Sequence, residues 1–259
     1  MKWLQRRRTL RAIGRHSIGY GEWRALCGRL APLHHLDIPG RVRLRALCAL
    51  FLQAKRFSGA GGLEITRGMR LAVAVQACLP ILYLGLSWYR GWVEIILYPG
   101  PFAVAHEEVD DAGVVSRRAE MRHGESWAQG PLILSWADVE GGLREPQDGY
   151  NVVVHECAHK LDMLDGDANG LPPLHDGMSV TQWADVMGRA YEDLRARCAR
   201  DGGDPCAFPI DPYAATHPAE FFAVASEYFF TAPHLLAAFY PEVYRQLALF
   251  YRQEPLAKY

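Results

Sequence analysis

The sequence predicts a mainly helical α+β fold with a small sheet in mid-chain, and three observations carry that expectation. Apolar residues recur at three- and four-residue spacing over 42–57, 66–79, 179–200, 217–230 and 234–253, the period of helices that bury one face. Short runs rich in β-branched and aromatic residues, bounded by Gly or Pro, cluster between residues 92 and 136. A chain of 259 residues that is 50% hydrophobic and 22% charged can bury a sizeable core.

The elements follow in order. Residues 1–60 carry thirteen Lys and Arg against only Glu22 and Asp37, in a chain whose net charge is −1. This region reads as a basic helical segment packed on a second domain, 61–259, with its arginines on a solvated face. No zinc-finger cysteine spacing or RNA-recognition signature accompanies the charge, so direct nucleic-acid binding is not expected. The start MKWLQRRRTLRAIG lacks the apolar run and small-residue cleavage site of a secretory signal.

VRLRALCALFLQAKRF (42–57) and TRGMRLAVAVQACL (66–79) read as helices. Between them, Ser58–Gly62 reads as a flexible connection, because Glu64 stands where a phosphate-binding loop would need its third glycine. The uncharged stretch 71–89 approaches the length of a membrane span, but Pro80 and Gly85 interrupt it. A buried helix ending near Pro80 explains the same letters without a membrane. WVEIILYP, FAVAH and PLILSW supply the mid-chain strands, and His106-Glu107-Glu108 reads as a solvated acidic loop after the second. The six cysteines are scattered with no CxxC pair, and several sit in apolar runs, as reduced core residues do.

The chemistry concentrates in YNVVVHECAHKLDMLDGDANG (150–170). His155 and His159 stand four apart, so a helix projects both imidazoles from one face toward a single metal ion, and Glu156 lies beside that face as a candidate general base. With ten His and fifteen Glu, a shuffled chain would show this pattern about 0.02 times, so it is informative. YNVVV before it supplies apolar helical positions, and Gly166 stands where a terminating glycine is expected. Asp162 shares the face but lies ~10 Å along the axis from His155, too far to be a third ligand. It fits a carboxylate supporting an imidazole, or a capping or surface acid, equally well.

A catalytic site wants a third protein ligand and an open fourth position. Glu220 and Glu227 fall on one face of HPAEFFAVASEYFF, an otherwise apolar helix in which an unpaired acid would be costly, and spacing does not choose between them. His217 and His234, each beside a proline at a helix start, read as capping or surface residues.

GLEITRGMRLAVAVQACLPILYLGL, YPGPF, ESWAQGPLILSW, HECAHKLDMLDGD, DPYAATHPAEFFAVASEYFF and FYRQEP together resemble the Mlc titration factor A family over nearly the whole chain. A shorter likeness, to the anthrax lethal factor catalytic domain, covers the HExxH helix and the pattern Tyr213, Thr216, Ala219, Glu220, Phe221, Phe222, Ala223. The resemblance implies a cytoplasmic, zincin-like metallopeptidase with aminopeptidase-like activity on small substrates and one zinc ion per chain. It implies His155, His159 and Glu220 as ligands, Glu156 as general base and Tyr213 as a stabiliser of the oxyanion, leaving Glu227 as a supporting acid. It also implies a regulatory contact with an Mlc-like transcriptional repressor in control of the glucose phosphotransferase system. The basic amino terminus has no tight counterpart in the family. The competing class is a non-catalytic binding protein that sequesters the repressor, with a structural or closed zinc site.

Overall fold

The computed structural model describes residues 18–30, 33, 35–109, 115–122, 124–126, 130–144, 149–200 and 208–257. The first helices are α1 (Tyr20–Cys27) and α2 (Ile38–Ala54). Asp37 caps α2 by accepting the Gly40 N–H at 2.7 Å, a start signalled by the DIP sequence and an element longer than the periodicity alone indicates. Three arginines of α2 are not simply solvated: Arg41, Arg43 and Arg45 donate to the carbonyls of Leu36, Leu82 and Ile18, so basic side chains stitch this region to its neighbours.

A four-residue strand, β1 (Arg56–Gly59), follows directly. The expected flexible connection is therefore wrong for Ser58 and Gly59, which pair in parallel with Ile96 and Leu97. Gly59 is required there, because a Cβ would lie 1.8 Å from the Leu63 carbonyl oxygen as the chain turns back. Helix α3 (Arg67–Cys78), capped by Thr66, crosses over to a 3₁₀ turn (Leu86–Tyr89) and β2 (Glu94–Tyr98). Every residue of α3 from Leu71 to Cys78 is buried, which accounts for the apolar stretch. Among the described residues, no helix is long and apolar enough to cross a membrane.

The chain then forms β3 (Phe102–Val109), β4 (Val115–Arg122), β5 (Gly124–Ser126) and β6 (Leu132–Ser135). Strands β1, β2 and β6 run parallel, with β5 antiparallel on the outer edge of β6, in the order β1–β2–β6–β5. Among the described residues, β3 and β4 pair only with each other. The expected acidic loop is corrected here: His106, Glu107 and Glu108 lie inside β3, in register with Arg118, Arg117 and Ser116. Their place in a strand follows from the backbone pairing with β4, which a reading of one segment at a time misses.

The second half is helical: α4 (Trp136–Arg144), α5 (Val152–Asp162), α6 (Val180–Arg200), a 3₁₀ turn (Pro212–Ala215), α7 (Pro218–Thr231), α8 (Pro233–Phe239) and α9 (Pro241–Tyr251). α5 ends at Asp162, so Gly166 does not terminate it as expected. Pro241 breaks the last apolar pattern into two helices, as its missing N–H requires. Phe222, Phe229 and Phe230 of α7 interlock edge to face with one another or with Trp183, Phe250 and Tyr251, and the Tyr251 hydroxyl donates to Ser226 Oγ at 2.8 Å. This packed wall fixes α7 against α5, which builds the site.

Candidate metal centre

Helix α5 begins at Asn151, whose side chain accepts the Val154 N–H at 3.0 Å and whose amide donates to Gln76 Oε1 on α3 at 2.9 Å. One turn on, His155 and His159 project together as their spacing predicts, with Nε2 atoms 3.2 Å apart. From α7, Glu220 Oε2 comes within 3.1 Å of His155 Nε2 and 3.3 Å of His159 Nε2. Three ligand atoms from two helices thus converge on one point. Donors held tetrahedrally ~2.0–2.1 Å from one ion are separated by roughly 3.3 Å, so these spacings fit a small cation.

Glu227 settles the orientation of His155. Its Oε1 lies 2.7 Å from His155 Nδ1, and its Oε2 accepts the backbone N–H of Asn151. An ionised carboxylate only accepts, so Nδ1 donates to Glu227, and Nε2 is the nitrogen that faces the site and gives its lone pair to a cation that replaces its proton. Glu220 meets His155 and His159, whereas Glu227 meets Asn151 and His155, so α5 and α7 run antiparallel here. Two turns of α7 therefore place the two glutamates on opposite nitrogens of the same ring, which is the choice spacing left open.

The electrostatics favour a positive guest. Burial alone would depress the His155 pKa, but Glu227 and Glu220 outweigh it and hold His155 well above its ordinary range. Burial would likewise raise Glu220, yet its hydrogen bonds to His155 and His159 keep it well below the usual carboxylate range. Two imidazole nitrogens and a carboxylate facing one another at these distances form a group that can share one cation. The residues present therefore fit a metal ion.

Around this cluster, Glu156 is buried beside His155 on α5. Tyr213 is 50% exposed, with its ring centroid 6.2 Å from that of His155. Asp211 caps the turn that carries Tyr213, accepting its N–H at 2.8 Å. Asp162 is fully buried and accepts the Gly170 N–H at 2.8 Å, so of its expected roles the surface one is excluded. Burial raises its pKa to about 6. His217 caps α7, its Nδ1 accepting the Ala219 N–H at 3.2 Å, and His234 is exposed at the start of α8.

Comparison with known proteins agrees with this arrangement. A family model described as "Glucose-regulated metallo-peptidase M90" matches residues 1–252. The chain belongs to this M90 family. Mlc titration factor A of Klebsiella pneumoniae is 42% identical over 229 residues, covering 87% of this chain and 84% of that protein. The proteins of the same name from Yersinia pestis and Yersinia pseudotuberculosis are each 40% identical over 230 residues, covering 88% of this chain and 82% of theirs. The shared face of His155 and His159 was legible from the HExxH spacing, whereas the acids of the apolar helix left Glu220 and Glu227 open and only the resemblance pointed to Glu220. The supporting pair Asn151 and Gln76 was missed, although an Asn just before an apolar helical run is a recognisable cap signal.

Proposed function

We propose that this chain is a zinc metallopeptidase of aminopeptidase type, with His155, His159 and Glu220 holding one zinc ion. The observation that carries the reading is the convergence of those three side chains at 3.1 to 3.3 Å, with Glu156 next to His155 in the same helix. Zinc, when bound, supplies Lewis-acid polarisation of water and of the scissile carbonyl. Glu156 accepts a proton from the attacking water as its oxygen bonds to the scissile carbonyl carbon, and then returns that proton to the departing amine as the C–N bond breaks and the carbonyl re-forms. Tyr213 donates its phenolic hydrogen bond to the oxyanion of the tetrahedral intermediate. Glu227 keeps the His155 ring in the tautomer that binds metal through Nε2. Family membership supports the metallopeptidase class, and the free buried cysteines among the described residues support a reducing, cytoplasmic setting.

A second reading rests on the name of the relatives, Mlc titration factor A. It holds that the chain binds an Mlc-like repressor, either beside its peptidase activity or in place of it. The described part of the basic region, where α2 packs on α3 and Arg43 donates to the Leu82 carbonyl, is a surface that such a contact could use. Glu156→Gln separates the roles. A peptidase loses hydrolysis at unchanged zinc content, while repressor binding, measured by co-purification with an Mlc-like protein, persists in that same variant.

A further inference from the structure

Lys160, the residue after His159, is 2% exposed, and burying an ammonium is costly unless its donors are used. Its Nζ lies 2.9 Å from the carbonyl oxygen of Gly130 and 3.5 Å from that of Pro131, the two residues that lead into β6. The same ammonium sits 5.4 Å from the Trp92 ring, whose face also receives Lys55 Nζ at 3.3 Å. Lys55 in turn donates to the Tyr89 and Trp92 carbonyls. Two buried cations around one indole repel each other, so an apolar side chain would fill this space at lower cost. What an apolar side chain lacks is the pair of charge-assisted hydrogen bonds to the start of β6.

Those bonds join two parts of the site. α5 packs on both β5 and β6, and β5 forms the outer edge of the sheet. An edge strand presents N–H and C=O groups to an extended peptide. β5 is held to the sheet by its pairing with β6, and Lys160 ties the two residues that lead into β6 to the helix bearing both imidazoles. We propose that Lys160 is a positioning residue for the peptide substrate, clamping Gly130 and Pro131 so that β5 and β6 stand at a fixed distance from the metal helix. The inference rests on the peptidase reading above. It assigns Lys160 to substrate placement and gives it no part in metal binding or proton transfer.

The test compares wild type with Lys160→Met, which keeps the stem and removes the donors, and Lys160→Arg, which keeps charged donors. Kinetics on a free-amino-terminus peptide panel, zinc content and backbone hydrogen exchange are read on each full-length protein. The expected result for Lys160→Met is KM raised about tenfold, the low end of what a charge-assisted hydrogen bond is worth, with kcat within about twofold, equal zinc and partial rescue by Lys160→Arg. Exchange should accelerate at residues 124–126 and 132–135 and not in α2 or α3. Unchanged KM, or a parallel loss of kcat, zinc and global protection, overturns the proposal. If wild type with full zinc cleaves no peptide, the peptidase reading fails separately, and exchange alone decides whether Lys160 clamps the strands. Should Lys160→Met not accumulate, Lys160→Gln replaces it in the same comparison.

Discussion

Replacing Glu227 by Gln tests the tautomer argument at a single atom. In the native site the carboxylate takes two N–H groups, His155 Nδ1–H at 2.7 Å and the Asn151 amide, and Glu227 is only 4% exposed. A glutamine amide offers one oxygen and one NH₂ in the same space. If its oxygen serves His155, the Asn151 N–H faces a donor. If it serves Asn151, His155 Nδ1 faces a donor and the ring is pushed toward the tautomer with its proton on Nε2, which closes that nitrogen to metal. Either loss is a charge-assisted hydrogen bond worth about 1.5 to 3 kcal/mol. Metal affinity should therefore fall about 10- to 100-fold while one site per chain remains. Competition with a chromogenic zinc chelator measures this directly, with Glu220→Gln run alongside. Unchanged affinity in Glu227→Gln refutes the tautomer argument. Complete loss of zinc there, with retention in Glu220→Gln, shows that the third ligand has been misassigned.

Three other consequences follow from the same geometry. Asp162 has a folded pKa of about 6 against an ordinary 3.8, so its protonated form favours folding. That contribution is full below the ordinary value and lost as pH rises through about 6, a difference of ~3 kcal/mol. Denaturant titrations of the zinc-free protein from pH 4 to 7 should show Asp162→Asn gaining on wild type as pH rises, and a constant difference would contradict the assignment. Gly170 has φ +81°, and a Cβ there would approach the Pro218 carbonyl oxygen at 2.6 Å, just where α7 starts. Gly170→Ala should cost about 2 kcal/mol or more, lower Tm by about 4 to 8 °C and weaken zinc binding by displacing Glu220, whereas an unchanged Tm would contradict this packing. Tyr213→Phe should lower kcat about a hundredfold at constant zinc, read by steady-state kinetics on a cleaved peptide, and an unaltered kcat removes the phenol from the mechanism.

Much of this site was readable in the sequence because its signals are local. Two histidines four apart need only a helix to share a face, and acids in an apolar helix announce a partner. What one segment cannot reveal is which partner stands opposite. Glu220 and Glu227 look equivalent along α7, and only the antiparallel packing against α5 sends one to Nε2 and the other to Nδ1. β1 failed for the same reason. Arg56–Gly59 carries no β pattern of its own and becomes a strand because β2 lies in parallel beside it. His106, Glu107 and Glu108 look like loop residues until the antiparallel backbone pairing of β3 with β4 is seen. Lys160 gave no signal at all, since its bonds to Gly130 and Pro131 span about thirty residues of sequence.

The measurement that tests the central claim most directly is hydrolysis of a panel of free-amino-terminus peptides by zinc-loaded wild type and Glu156→Gln, with bound zinc quantified in both. The account predicts cleavage by wild type and a loss of about 100- to 10,000-fold in the variant at equal zinc. Equal cleavage by both proteins, or none by either at full zinc occupancy, would contradict it.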